Sequence, residues 1–143
     1  MLIKEEELWL VARKNSNLSN FAHGSNVTVD YNDEIFDQNA DYNNSSYTFT
    51  APVTGKYHLN ARVRLTNLDT GAGYYYLGII TSNREYYNIV PTQFASDVSY
   101  YTAIVSELVD MDASDTCKVT FLQAGGGAIT DLDNGYFSGY LVC

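Results

Sequence analysis

Apolar and polar residues alternate over ten consecutive positions, residues 56–65, and this is the clearest pattern in the chain. The apolar positions are Tyr57, Leu59, Ala61, Val63 and Leu65. A period of two places one row of side chains in a core and the other in solvent, which predicts a half-exposed antiparallel strand. Pro52 and Gly55 precede this strand, and residues 51–55 predict a tight turn that joins it to a strand over residues 47–50.

Turn-forming residues divide the remainder of the chain into further short strands. Residues 74–81 and 85–90 predict a hairpin joined at residues 82–84, and Pro91 ends its second strand. By periodicity alone, residues 8–13 fit either a short strand or a helical turn. Further strands are predicted over residues 97–109, 117–121 and 136–143, with turns at 110–115, 125–127 and 131–135. With about eight to ten strands and no helical periodicity, the chain is predicted to form a two-sheet sandwich.

The composition supports an all-β fold and excludes one class of partner. Thirteen tyrosines and one tryptophan favour strands, because amphipathic rings suit a pleated, half-buried surface. The formal net charge of −9 repels the phosphates that dominate nucleic-acid affinity, so we expect no DNA or RNA partner. No apolar run approaches the ~20 residues that span a bilayer, so we expect no membrane insertion.

The length and the two cysteines set limits on domain organisation. We expect a single domain over residues 1–143, because domains typically hold roughly 100–200 residues. Residues 1–7 carry three consecutive glutamates and no apolar run of signal-peptide length, and we expect a flexible N-terminal extension there. Cys117 and Cys143 match no zinc spacing. They leave three alternatives: two buried thiols, a bridge between them, or a bridge between subunits through Cys143.

The sequence offers little material for catalysis. His23 and His58 are its two histidines, and both are expected to face solvent, which leaves few members for a metal centre or a histidine-based triad. Ser138 does not stand in a glycine-x-serine-x-glycine elbow. We therefore expect a protein that is not an enzyme and that carries no organic cofactor.

Calcium is the one ion that the sequence suggests. Asp110, Asp112 and Asp115 cluster in one predicted turn, and carboxylate oxygens are ligands that calcium prefers. The run is not an EF-hand loop, because Asp115 stands at its sixth position and Phe121 at its twelfth, where glycine and glutamate are required. The turn is therefore either a calcium site or a solvated acidic turn.

Residues 47–59 carry a motif that resembles that of a known family. The matching residues are Phe49, Pro52, Gly55 and Tyr57. They resemble the phenylalanine, small-residue-proline and glycine-x-tyrosine signature of the globular C1q domain, of the C1q and tumour-necrosis-factor superfamily, in its bacterial and phage form. Residues 10–13 resemble the family's first strand, which favours a strand over residues 8–13, and residues 136–141 resemble its closing strand. Ser114-Asp115 replaces the glycine-aspartate pair usual in the family.

This resemblance implies a ten-stranded jelly-roll sandwich that assembles as a compact homotrimer. The tyrosines exceed what one small core needs, and neighbouring residues of a strand point to opposite faces, so one ring of each adjacent pair leaves the core. We expect such rings to form a trimer interface or a ligand surface. The residues expected there are Trp9, Tyr57, Tyr75, Tyr87, Tyr100 and Tyr140.

The resemblance and a surface rich in tyrosine, asparagine, serine and threonine indicate a non-enzymatic structural or adhesive module. We expect a phage virion protein, either a fibre tip, a head or tail decoration, or a receptor-binding protein. Its partners would be itself, other virion proteins and a host-surface glycan or protein. The alternative is a cell-surface or secreted C1q-like recognition domain that binds glycan or protein ligands.

Overall fold

The chain forms two antiparallel β-sheets, described by a computed structural model over residues 8–20 and 24–143. Among these residues no helix is long and apolar enough to cross a membrane. Their strands are β1 (Trp9–Lys14), β2 (Val27–Thr28), β3 (Asp33–Asp37), β4 (Tyr42–Asn43), β5 (Thr48–Thr50), β6 (Gly55–Leu68), β7 (Tyr74–Thr81), β8 (Glu85–Pro91), β9 (Val98–Met111), β10 (Thr116–Ala124) and β11 (Asp131–Leu141). The five-stranded sheet has the order β3-β1-β11-β6-β9, and the six-stranded sheet has the order β4-β5-β10-β7-β8 with β2 paired to β10.

The predicted all-β, two-sheet sandwich is confirmed. The alternating segment lies within β6, where the five apolar positions are buried and the residues between them face outward. The hairpin predicted around residues 82–84 is formed by β7 and β8, which pair along their lengths. Residues 8–13 fall largely in β1, a strand rather than a helical turn. The described residues contain eleven strand segments against the ten expected, and two of them, β2 and β4, are only two residues long.

The turn predicted at residues 51–55 joins β5 to β6, but these two strands do not pair with each other. β5 pairs with β4 and β10 in the six-stranded sheet, whereas β6 lies between β11 and β9 in the five-stranded sheet. The segment between them therefore crosses from one sheet to the other. The ring centroids of Phe49 and Tyr57 lie 5.7 Å apart in an edge-to-face arrangement across the core, so these two residues join the two sheets.

The predicted turn at residues 131–135 was wrong, because these residues belong to β11. A bulge between Leu132 and Asn134 accommodates them in the strand. The carboxylate of Asp133 accepts hydrogen bonds of 2.9 and 2.7 Å from Arg64 on the neighbouring β6. A polar run that resembled a turn is thus a strand whose polar side chains have partners on the adjacent strand.

Four of the described tyrosines are buried in the core, and two of them correct part of the surface prediction. Tyr57 and Tyr75 were expected at an interface or ligand surface, but only 1% and 0% of each is exposed. Each ring fits the core because its hydroxyl finds a partner: Tyr57 donates to the carbonyl of Val53 at 2.6 Å, and Tyr75 lies 2.8 Å from the hydroxyl of Thr130. The interface prediction was therefore wrong for these two residues.

Alkaline titration should separate the buried tyrosines from the rest. Burial raises the pKa of Tyr31 and Tyr42, whose hydroxyls donate to backbone carbonyls at 3.0 and 2.8 Å. An unfolded tyrosine has a pKa of about 10, so the stability that these two protonated tyrosines contribute to the fold is fully present below about pH 10. It is lost as the pH rises towards the folded pKa. We expect Tyr31 and Tyr42 to ionise only as the protein unfolds, so part of the rise in tyrosinate absorbance should coincide with unfolding. A single transition of all thirteen tyrosines in the folded protein would contradict this packing.

The two cysteines are unpaired and differ in exposure. Cys117 is buried, and its burial raises the pKa of the thiol to about 12, whereas Cys143 is exposed. Because the thiolate is the reactive form, we expect an aromatic disulfide reagent to label one thiol per native chain and two per chain in denaturant. Native labelling of neither thiol would indicate a bridge, and native labelling of both would contradict the burial of Cys117.

Candidate functional site

The outer face of the five-stranded sheet carries an exposed row of large side chains at one end. Register places Trp9, Tyr140, His58 and Leu108 side by side on β1, β11, β6 and β9. Ring centroids lie 6.4 Å apart for Trp9 and Tyr140 and 5.4 Å apart for His58 and Tyr140. Trp9 is 49% exposed and Leu108 is 58% exposed. We call these four residues the aromatic row.

A groove runs beside the aromatic row. The next positions along the same strands carry smaller side chains, including Val11, Asn60 and Ser138, which leave a depression bordered by the exposed ring of Phe36 on β3. Its volume is about 380 Å³. The combination of flanking rings and a floor of small side chains can accommodate a large apolar side chain or the apolar face of another ring.

His58 and Ser106 form a pair within this face that resembles part of a catalytic triad. The hydroxyl of Ser106 lies 3.2 Å from Nε2 of His58. In the described part of the chain no carboxylate is hydrogen-bonded to His58, so the third member that orients a catalytic histidine is missing there. His23, the other histidine, lies outside the described residues.

The opposite end of the same face carries arginines. Register places Arg13, Tyr136 and Arg62 in one row, with Arg64 two residues further along β6. The guanidinium of Arg62 lies 4.7 Å from the centroid of the Tyr136 ring, within cation–π range. Arg13 is paired with Asp33 and Arg64 with Asp133, and the hydrogen bond from Arg64 lowers the pKa of Asp133. We call Arg13, Tyr136, Arg62 and Arg64 the basic end.

Comparison with known proteins identifies the architecture. No family model matches the sequence, and no curated protein matches it. Among solved structures, the globular domain of zebrafish complement 1qA protein superposes with a TM-score of 0.70, covering 96% of this chain and 98% of that one. The chain has the C1q-like jelly-roll fold. At 16% sequence identity this likeness concerns the fold alone.

A second solved structure shares this fold. The PRD1 vertex protein P5, a phage protein, superposes with a TM-score of 0.64 at 12% identity, covering 94% of this chain and 96% of that one. The C1q-like architecture is therefore found both in a complement protein and in a phage vertex protein, and the chain is similar to each over nearly its whole length.

Four predicted surface residues lie on the surface of this C1q-like fold, at three separate places. Trp9 and Tyr140 adjoin in the aromatic row, whereas Tyr100, 67% exposed, lies on β9 near the basic end. Tyr87 lies on the outer face of the six-stranded sheet, where its ring packs 4.6 Å from Tyr76. Partial burial of the ring is the main cause that raises the pKa of Tyr87 to about 12, and its hydrogen bond to Glu85 is the second cause. A shared interface role for all four remains a prediction.

The aspartates proposed for calcium have protein partners. Asp110 forms an ion pair with Arg84 at 2.7 Å, and the hydrogen bond from Arg84 lowers the pKa of this carboxyl. A carboxylate oxygen of Asp115 accepts from the backbone N–H of Asp112 at 2.8 Å and from the side-chain amide of Asn83 at 2.9 Å. Over residues 8–20 and 24–143, no group of three or more acidic, histidine or cysteine side chains is placed to hold a metal ion.

Sequence reasoning missed the residues that complete the aromatic row and its groove. His58 was expected to face solvent, but its membership in a row with Tyr140 depends on the pairing of β6 with β11. Leu108 and Phe36 join the same surface through β9 and β3. The available signal was alternation: His58 lies on the outward row of the most regular strand, and an outward leucine in β9 departs from the polar pattern expected of a solvated face.

Proposed function

We propose that the chain is a non-enzymatic homotrimeric structural and adhesive module of a phage virion, at a fibre tip, a head or tail decoration, or a receptor-binding position. The observation that carries the proposal is the aromatic row with its groove. Trp9, Tyr140 and Leu108 are exposed in one row with His58, which is an arrangement typical of a surface that a partner covers.

The chemistry of this surface suits self-association. Tryptophan and tyrosine dominate the binding energy of protein interfaces, and apolar burial contributes roughly 25 cal/mol per Å². The groove is concave, so it would receive a surface of the neighbouring copy that is not the groove itself. Contacts of this kind close into a ring when the rotation between copies is a whole fraction of a turn. The number three follows from the resemblance to C1q domains.

The likeness to a phage vertex protein supports the assignment to a virion. The genes on either side of the coding sequence test it most cheaply. Genes for capsid, tail or fibre proteins would support the virion assignment. Genes for secretion or for a cell envelope would contradict it and favour the alternative below.

The alternative is a cell-surface or secreted recognition domain, and the likeness to a complement protein domain favours it. The two proposals share the fold, the self-association and a recognition role, and they differ in where the protein acts. Detection of the protein in purified virus particles by mass spectrometry would support the first proposal. Detection on intact cells and not in particles would support the second.

A further inference from the structure

Arg62, at the basic end, carries a charge that no carboxylate of its own copy balances. Arg13, Arg64 and Arg84 each form an ion pair with an aspartate. In the described part of the chain, no carboxylate lies within ion-pair distance of Arg62. Its guanidinium lies 4.7 Å from the centroid of the Tyr136 ring, which attracts a cation but bears no formal charge. In a single copy Arg62 is exposed, so water solvates its charge.

The proposed trimer would cover this arginine. Five strands of roughly ten residues, about 4.8 Å apart and with a rise of about 3.3 Å per residue, present a face of about 800 Å². A stable protein interface takes about 800 Å² from each partner. The groove is only a part of this face, and Arg62 lies about 13 Å along β6 from His58 of the aromatic row. A neighbouring copy that buries enough area therefore reaches the basic end as well.

Burial of Arg62 without a counter-charge would oppose assembly. Taking a charge out of water is costly unless an opposite charge and hydrogen bonds replace the water. Two carboxylates near the basic end are already in use, because Asp33 pairs with Arg13 and Asp133 pairs with Arg64. A neighbouring copy of the same chain has the same pairs. The counter-charge of Arg62 in the trimer therefore has to come from another source.

The surroundings of Arg62 suit a small oxyanion. It lines a concavity of about 200 Å³ together with Arg64, Thr102, Asn134 and Gly135. None of these residues is acidic, and the hydroxyl of Thr102 and the side-chain amide of Asn134 can both donate hydrogen bonds. Arg64 uses Nε and Nη2 on Asp133, which leaves the N–H groups of Nη1 for a ligand.

The shape of the concavity selects among anions. Its donors come from three strands, β6, β9 and β11, and a tetrahedral oxyanion presents oxygens in several directions at once. A water molecule occupies about 30 Å³, so the concavity has room for an ion of this size with a few waters. A guanidinium is a strong, bidentate donor to such oxygens.

We propose that the assembled trimer binds an inorganic oxyanion of the phosphate or sulfate class at each Arg62, where the neighbouring copy closes the concavity. The inference rests on the self-association within the proposed function. The aromatic row supplies the apolar burial in either case, so the trimer forms at micromolar concentration without the anion. The bound anion lowers the concentration at which the trimer dissociates.

Dilution of the native trimer with and without sulfate, at an ionic strength held constant with chloride, tests the inference. A ligand at ten times its dissociation constant raises the association constant about tenfold for each site, and three sites raise it about a thousandfold. We therefore expect the native trimer to persist to lower protein concentrations in sulfate. Sedimentation velocity of fluorescently labelled protein measures the dissociation.

Three variants identify the residue responsible. Arg62→Gln should abolish the effect of sulfate, and without sulfate it should assemble at least as well as the native protein, because it buries no unbalanced charge. Arg62→Lys keeps the charge and should keep a weaker response, because an ammonium lacks the planar fork of the guanidinium. Lys118→Gln removes the same charge from an exposed position in the six-stranded sheet, and it should respond to sulfate as the native protein does.

The possible failures can be told apart. A native trimer whose dissociation is unchanged by sulfate would overturn this inference and leave the homotrimer intact. An equal response of Arg62→Gln would show that sulfate acts at another place. Sulfate binding by a folded monomeric variant as tight as that by the trimer would contradict closure of the concavity by a neighbouring copy. A native protein that is monomeric at micromolar concentration would contradict the homotrimer, and this inference with it.

Discussion

Trp9→Asp is expected to convert the homotrimer into monomers. The substitution removes the ring that borders the groove and places a charge where a partner would have to desolvate it. Truncation of a central tryptophan costs an interface about 2 kcal/mol or more. A closed trimer contains three such contacts, so assembly would weaken by about 6 kcal/mol per trimer, or roughly four orders of magnitude in its association constant. Light scattering after gel filtration measures the loss.

Trp9→Phe is the matched control for this substitution. It keeps an aromatic ring at the same position of β1 and adds no charge, so it should leave the trimer intact. Circular dichroism and melting of both variants would establish that each remains folded. A folded Trp9→Asp protein that keeps the mass of the native protein would remove the aromatic row from the interface.

Asp30→Asn is expected to destabilise the fold by about 3 kcal/mol or more. Lys14 faces the core from β1 with its side chain fully buried, and its ammonium group forms an ion pair with Asp30. The other carboxylate oxygen of Asp30 accepts from the hydroxyl of Ser16 at 2.5 Å. Loss of the carboxylate would leave a buried ammonium without its counter-charge, and removal of one partner from a buried pair typically costs about 3–5 kcal/mol. Denaturant unfolding measures the change.

Lys14→Met supplies the complementary measurement. It removes the buried charge and keeps an unbranched apolar chain of similar length, so we expect little loss of stability or a gain. The double variant Lys14→Met with Asp30→Asn should recover most of the stability that Asp30→Asn loses, because no uncompensated charge remains. An Asp30→Asn protein as stable as the native one would show that the buried ammonium has no need of its partner.

The fold was predictable where local patterns decide it. Alternation in residues 56–65 identified the strand and its buried side, because a strand with one face in the core must follow a period of two. The hairpin of β7 and β8 was predictable because a connection of only three residues brings the two strands next to each other. The resemblance to C1q domains then indicated which two-sheet arrangement these strands form.

Features that depend on distant pairing were not predictable in the same way. A turn signal at Pro52 and Gly55 reports a change of direction, but it does not say whether the chain returns to the same sheet or crosses to the other. Alternation shows that neighbouring rings in Tyr74 to Tyr76 point to opposite faces, but it does not show which face is the core. Tyr75, which was predicted at the surface, is the buried ring. Lys14 lies in the core because Asp30, sixteen residues away, supplies its counter-charge.

The aromatic row shows the same limit at the candidate site. Trp9 and Tyr140 were predicted at a surface as separate residues, and nothing in the sequence joins positions 131 residues apart except the register of β1 with β11. His58 and Leu108 enter through two further pairings. Residue type identified part of the surface, and only the sheet showed that it is continuous.

The mass of the native protein in solution is the most direct test of the central claim. Multi-angle light scattering after gel filtration should give three times 16.0 kDa at micromolar concentration, and the mass should not depend on salt if apolar burial drives assembly. A folded protein with a mass of 16.0 kDa under these conditions would contradict the homotrimer and the role assigned to the aromatic row.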